Sequence, residues 1–204
     1  MTEPVQPRQL VFVTGGTRSG KSAFAQRLVE GWPGPLLYIA TAEVRDAEMR
    51  QRVHLHQNDR GPRWSTREEP LNLPAALVAA QEYGGTLLDC LTLWTSNLLE
   101  RHGDDDAAID RAVAALLDAL GQHPARLCVV TNEVGSGIVP EHPLARRFRD
   151  RAGRINQQVA AAATHAYLVV SGLPVPLKGD DSAGERNRTA PKGPSVGRAP
   201  GRGE

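Results

Sequence analysis

Cysteine is scarce: the 204 residues hold only Cys90 and Cys128, each inside an apolar run, Leu87-Leu88-Asp89-Cys90-Leu91 and Leu127-Cys128-Val129-Val130. A thiol in that setting behaves as a small buried hydrophobe, which argues against a disulfide framework and for a reducing compartment. Aromatic residues make up 4% of the chain, too few to favour a stacking platform for single-stranded nucleic acid. An excess of one charge is also missing, since 24 Lys and Arg against 23 Asp and Glu leave a formal net charge of +1. Nucleic-acid binders usually carry a clear basic surplus, so no nucleic-acid partner is expected. No apolar run approaches a membrane-spanning length, and the first nine residues lack the apolar stretch of a secretory signal. The expectation is a cytoplasmic protein without membrane insertion.

What is present is an alternation of short aliphatic runs with helical-looking stretches, the pattern of an α/β domain with a mainly parallel sheet. Strands are predicted at Leu10–Thr14, Leu36–Thr41, Thr86–Asp89, Leu127–Thr131 and Ala166–Ser171. Helices are predicted at about Lys21–Glu30, Ala42–Gln57, Asn72–Glu82, Thr92–Arg101, Ala107–Leu120 and Leu144–Ala163, with Gly31, Gly84-Gly85, Gly121 and Gly172 punctuating their ends. The length fits one domain with tails. Residues 1–9 read as a loose N-terminus and residues 10–178 as the folded unit. Residues 179–204, which hold no large apolar side chain except Val196, cannot offset the entropy of ordering and read as disordered. The basic run Arg146-Arg147-Phe148-Arg149-Asp150-Arg151 reads as the solvated face of a helix rather than a phosphate-binding patch.

Gly15-Gly16-Thr17-Arg18-Ser19-Gly20-Lys21-Ser22 matches G-x-x-x-x-G-K-[ST], directly after an apolar strand and directly before a helical run. Glycines allow the backbone to curl so that successive N–H groups face phosphate oxygens, and the helix adds its positive dipole end. In such a P-loop, Lys21 contacts the β and γ phosphates and the Ser22 hydroxyl ligates Mg²⁺. Asp89 closes the run Thr86-Leu87-Leu88 at the carboxyl edge of a neighbouring strand, where a carboxylate can hold Mg²⁺ or its water. Thr131-Asn132-Glu133-Val134-Gly135-Ser136-Gly137 follows another strand to the same edge and reads either as loop and helix capping or as a substrate contact. No N-K-x-D guanine signature is present, so the residues leave ATP against GTP open.

A second feature is the charged stretch between Glu43 and Arg60, which carries His54 and His56. On a helix these two lie about 200° apart and cannot chelate one metal together. Arg52 and His56 share a face at the i,i+4 spacing. A neutral imidazole beside guanidinium groups is equipped to attack an α-phosphate, because the cations lower its pKa and neutralise charge growing on the phosphate. A solvated surface histidine is the alternative.

Taken in order, these segments resemble the bifunctional adenosylcobinamide kinase/adenosylcobinamide-phosphate guanylyltransferase family of cobalamin biosynthesis. The resemblance rests on Val13–Ser22, Tyr38–Ala42, Asp46–Met49 with Arg52–His56, Trp64–Glu69, Leu88–Trp94 with Ser96–Leu99, Val130–Pro140, and Ala145–Asp150 with Gly153–Gln157. The Thr131–Gly135 and histidine segments are its most specific parts. It implies a P-loop NTPase fold of RecA-like type and two reactions on one chain. The first phosphorylates the aminopropanol hydroxyl of adenosylcobinamide with ATP or GTP. The second transfers GMP from GTP to that phosphate through a guanylylated histidine, which the pattern of an Arg four residues ahead puts at His56, with His54 as the fallback. The family's nucleotide contacts fall here on Gly15, Gly16, Thr17, Arg18, Ser19, Gly20, Lys21 and Ser22, on Ala40, Thr41 and Ala42, on Gln57, Asn58, Asp59 and Arg60, and on Glu68 and Asp89. The catalytic pair is then His56 and Lys21, and the metal ligands are Ser22 and Asp89. The resemblance also implies a homotrimer acting on a corrinoid and a nucleoside triphosphate. Two readings compete with it: a plain P-loop small-molecule kinase without guanylyltransferase activity, and a RecA-like nucleic-acid ATPase or nucleotide-gated interaction module.

Overall fold

A computed structural model describes residues 8–43 and 61–179. Its elements run β1 (Gln9–Thr14), α1 (Lys21–Glu30), β2 (Leu36–Ala40), β3 (Trp64–Glu68), α2 (Leu73–Ala79) with a 3-10 turn at Ala80–Glu82, β4 (Gly85–Asp89), α3 (Leu91–His102), α4 (Asp106–Gln122), β5 (Arg126–Val130), α5 (Pro143–Ala162), β6 (His165–Val170) and β7 (Leu173–Lys178). All seven strands join one sheet in the order β3-β2-β4-β5-β1-β6-β7. Every pairing is parallel except β6 with β7.

A parallel sheet must be covered on both faces, and β1 shows how the sequence meets that demand. Leu10 and Phe12 point into one apolar cluster with helices α2 to α5, while Val11 and Val13 point into the other, against Phe24, Ala25, Leu28 and Val29 of α1. Successive side chains of a strand alternate in direction, so a continuous aliphatic run fills both cores at once. Phe24 and Tyr167 meet edge to face across the second core at 5.2 Å between ring centroids. Both cysteines are free and buried there. Burial, and after it the charge of Asp89, pushes the Cys90 thiol up to about 11, and the same two causes raise Cys128 further. Neither supplies a thiolate nucleophile at neutral pH.

The five expected strands and the helix Lys21–Glu30 are present, with shifts of one residue at most strand ends. Two strands were not expected. β3, Trp-Ser-Thr-Arg-Glu, lies at one edge with four of its five residues exposed, and so lacks the aliphatic run that marks a buried strand. β7, Leu-Pro-Val-Pro-Leu-Lys, carries two prolines and lies at the other edge, the place where a strand tolerates residues without an N–H. The helix expected over Ala42–Gln57 does not begin at Ala42, because Ala42 and Glu43 are irregular; residues 44–57 lie outside the described residues. The helix expected over Asn72–Glu82 is α2 plus its 3-10 turn, with the Asn72 side chain capping Ala75 N at 3.3 Å.

The basic run on α5 lies at the surface as expected, but two of its arginines are engaged in ion pairs. Arg147 reaches Asp104 and Asp106 at 2.7 and 2.6 Å, and Arg151 reaches Asp106 at 2.8 Å and also pairs with Asp110. The two arginines hold the carboxyl of Asp106 below its usual range. They tie α5 to the start of α4 across the surface, while Arg146 and Asp150 of the same run stay exposed.

Trp94 on α3 is completely buried and donates Nε1–H to the Leu71 carbonyl at 2.9 Å. Trp94→Ala is therefore expected to cost about 3–5 kcal/mol of stability, read as a lowered urea midpoint with an unchanged slope.

Candidate functional site

Strand register sets the site. Val13 pairs with Val130, Val130 with Asp89, Asp89 with Ala40, and Ala40 with Glu68. The residues following β1, β2, β3, β4 and β5 therefore emerge side by side along one carboxyl edge, where open α/β sheets bind ligands. Asp89 is one strand farther from the loop than expected, because β5 lies between β4 and β1. Two strand spacings amount to about 10 Å.

The loop after β1 is tightly built. A Cβ on Gly15 would lie 2.5 Å from the Val169 carbonyl oxygen and 2.6 Å from Ser19 Oγ. Arg18 and Gly20 adopt positive φ, 58° and 91°, which turns the backbone back on itself before α1 begins at Lys21. Ser19 N–H donates to Gly16 O at 3.2 Å, Glu133 N–H to Gly15 O at 3.0 Å, and Gly172 N–H to Ser19 O at 2.7 Å. Lys21 is buried along its stem and its ammonium donates to Gly16 O at 3.3 Å, which holds the charge above the loop. Gly16, Thr17 and Arg18 are exposed, and Ser22 is half-buried in the first turn of α1.

Asp89, half-buried at the end of β4, accepts from the Tyr38 hydroxyl through Oδ2 at 3.2 Å; its peptide bond to Cys90 is cis. Ser22 and Asp89 both offer hard oxygen donors. Among the described residues no group of three or more His, Cys, Asp or Glu side chains could cage a metal. A sparse oxygen set fits Mg²⁺, which takes one or two protein oxygens and fills its shell with phosphate and water.

Behind this edge lies a buried polar network. Thr41 Oγ1 donates to Cys90 O at 2.7 Å and accepts from Cys90 N at 2.8 Å, and Asn97 Nδ2 donates to Thr41 O at 2.9 Å and to Pro70 O at 3.0 Å. Thr92 Oγ1 accepts from Asn132 N at 2.7 Å and meets Thr131 Oγ1 at 3.2 Å; that hydroxyl donates to Asn156 Oδ1 at 2.8 Å. Two residues of α3 thus fix the segments after β2, β3 and β5. The sequence contained these residues but no pattern that assigned them this task.

Of the sequence-predicted residues, Gly15–Ser22 form one continuous turn. Ala40, Thr41 and Ala42 lie at the end of β2, and Glu68 at the end of β3 is exposed. Those positions are three and four strand spacings from β1, about 14 and 19 Å, so they and the loop can touch only opposite ends of an elongated ligand. His56, His54, Arg52, Gln57, Asn58, Asp59 and Arg60 lie outside the described residues. In the segment after β5, Gly135 N–H donates to Glu133 Oε1 at 2.6 Å and Arg149 donates to Gly135 O at 3.0 Å; no helix is capped there.

The family model described as cobinamide kinase / cobinamide phosphate guanyltransferase matches residues 11–177. The bifunctional adenosylcobalamin biosynthesis protein CobP of Pseudomonas aeruginosa is 45% identical over 169 residues, covering 82% of this chain and 96% of that protein. The bifunctional adenosylcobalamin biosynthesis protein CobU of Escherichia coli K12 is 42% identical over 181 residues, covering 83% of this chain and 99% of that protein. Among solved structures, an ATPase from the type III secretion system of pathogenic bacteria superposes with a TM-score of 0.50 at 12% identity, covering 82% of this chain and 56% of that one. That likeness concerns the fold alone, a P-loop ATPase sheet of the expected α/β class. These matches fit the two-reaction reading rather than the plain-kinase alternative. The chain belongs to the cobinamide kinase / cobinamide phosphate guanyltransferase family.

Proposed function

We propose that this chain phosphorylates the aminopropanol hydroxyl of adenosylcobinamide and then transfers GMP from GTP to the new phosphate, giving adenosylcobinamide-GDP. The observation that carries the reading is the family match over residues 11–177, on a chain whose loop Gly15–Ser22 opens onto the carboxyl edge of its sheet.

In the kinase step the backbone amides of Gly15–Gly20 and the Lys21 ammonium hold the β and γ phosphates, and charge developing on the departing diphosphate falls where they point. The substrate hydroxyl oxygen forms a bond to the γ-phosphorus as the bond from that phosphorus to the bridging oxygen breaks, and the hydroxyl proton passes to a phosphate oxygen or to solvent. Ser22 and Asp89 are the residues that would hold Mg²⁺, which would supply neutralisation of phosphate charge. Tyr38 keeps the Asp89 carboxylate oriented for that task.

In the transfer step a ring nitrogen of His56 forms a bond to the α-phosphorus of GTP, and the bond to the β-phosphate oxygen breaks, releasing pyrophosphate. A phosphate oxygen of the corrinoid then attacks the same phosphorus. The P–N bond breaks, a phosphoanhydride forms, and the imidazole is regenerated. Ala40–Ala42 and Glu68 serve the end of the nucleotide remote from the loop, in keeping with their distance along the edge, and Gln57–Arg60 are further nucleotide contacts by the family resemblance. ATP and GTP both suit the kinase step; GTP is the donor of the second.

We also propose a homotrimer in the cytoplasm, with a corrinoid and a nucleoside triphosphate as its ligands. Support for assembly is the edge strand β7, whose Leu173, Val175 and Leu177 are 70%, 45% and 59% exposed; an edge strand with apolar side chains turned to water favours burial against another chain. Among the described residues no helix is long and apolar enough to cross a membrane.

The test of the reading is incubation of the purified protein with adenosylcobinamide, GTP and Mg²⁺, with products identified by mass. Adenosylcobinamide phosphate and adenosylcobinamide-GDP are expected, and their absence overturns it. His56→Ala is expected to abolish covalent label from α-labelled GTP while sparing the kinase product; label lost only in His54→Ala reassigns the nucleophile. Lys21→Ala is expected to lower both activities by about a hundredfold or more, measured as kcat/KM, and unchanged turnover would show that the loop does not hold the phosphates.

A further inference from the structure

We propose that the turn joining β6 to β7, Ser171–Gly172, is a positioning element for nucleotide binding, acting through its hydrogen bond to the Ser19–Gly20 peptide unit of the phosphate loop. The inference rests on the reading of Gly15–Ser22 as the phosphate site and adds residues that neither the motif nor the family match assigns.

Gly172 N–H donates to the Ser19 carbonyl oxygen at 2.7 Å. In a trans peptide the C=O and the following N–H point in opposite directions within one plane. Holding Ser19 O toward Gly172 therefore turns Gly20 N–H the other way, toward the mouth of the loop. At the loop's other end Glu133 N–H holds Gly15 O at 3.0 Å, which by the same geometry orients Gly16 N–H. Two of the donors that an anion needs are thus aimed by bonds made outside the loop.

The turn's shape permits the close approach. Ser171 and Gly172 have φ of 52° and 83°, two consecutive positive values in a two-residue hairpin connection, the arrangement that matches the twist of antiparallel strands. A Cβ on Gly20 would lie 3.1 Å from Gly172 Cα, so the two backbones touch. The turn is itself held in place, because β6 pairs with β1 up to Thr14↔Leu168. The hairpin thus continues the strand that pairs with β1, from which the loop springs.

A Cβ on Gly172 would meet nothing within 4 Å, so a substitution there acts through the backbone and not by collision. Valine strongly resists positive φ, whereas asparagine tolerates it and retains the N–H. The experiment titrates a fluorescent GTP analogue into the native protein and into Gly172→Val, Gly172→Asn and Val113→Ala, the last a core change on α4 remote from the loop. Gly172→Val is expected to raise Kd about tenfold or more, the equivalent of one lost hydrogen bond. KM for GTP should rise with it while KM for adenosylcobinamide stays unchanged. Gly172→Asn and Val113→Ala should bind within about threefold of the native protein. If Gly172→Val does not fold, Gly172→Ala is read in its place with the same expectation. Native affinity in the valine or alanine variant overturns the proposal, and so does a loss in Val113→Ala that matches theirs, which would mark a purely structural effect. A native protein that binds GTP but makes no product from adenosylcobinamide overturns the proposed function and leaves this inference standing.

Discussion

The Val169 carbonyl oxygen and the Ser19 hydroxyl both stand within 2.6 Å of where a side chain on Gly15 would begin, and the site depends on that crowding. A phosphate loop must present several N–H groups to one point, which forces its carbonyls outward and leaves them needing partners. Here the partners come from the strands on either side of β1. Glu133, after β5, takes Gly15 O, and Gly172, after β6, takes Ser19 O. Tight packing of the loop against β6 and the outward direction of its carbonyls are one arrangement. A bulkier residue at the first position would disturb both together.

The same economy governs the edge beyond the loop. Irregular segments after β2, β3 and β5 carry backbone groups that no helix or sheet satisfies, and burying such groups unpaired would cost several kcal/mol in total. α3 takes up that burden through Thr92 and Asn97. Asn97 bonds Thr41 O and Pro70 O with one amide nitrogen, and Thr92 holds Asn132 N. Because α3 is also buried on its apolar face through Leu91, Trp94 and Leu98, the polar anchors have a rigid base. Proposed nucleotide contacts at Ala40–Ala42 and the P-loop are in this way referred to a single frame.

The sequence made the frame readable where burial is complete. β1, β2, β4, β5 and β6 are aliphatic runs because both faces are covered, and the loop motif stands out because its geometry admits few residues at Gly15 and Gly20. It was silent where the controlling fact is long-range. β3 and β7 carry the polar and proline-rich composition of loops, and only their pairing at the sheet's edges makes them strands. The insertion of β5 between β1 and β4 leaves no local trace, so the distance of Asp89 from the loop could not be read. The ion pairs of Arg147 could not be read because their aspartate partners lie near the start of α4, some forty positions earlier in the chain. Tyr38, Asn97 and Asn156 stood in plain view, yet a lone tyrosine or asparagine gives no pattern until its partner is placed beside it.

The dimensions of the edge also bear on why one chain can run two reactions. Phosphoryl transfer occurs at the γ-phosphorus and guanylyl transfer at the α-phosphorus, a few ångströms apart on the same nucleotide. A loop that fixes the β-phosphate serves both, provided that each nucleophile reaches its own phosphorus. Asp89 and Tyr38 lie on the side of β5 away from the loop, so that between them and Lys21 the edge is long enough for a nucleotide lying across β5.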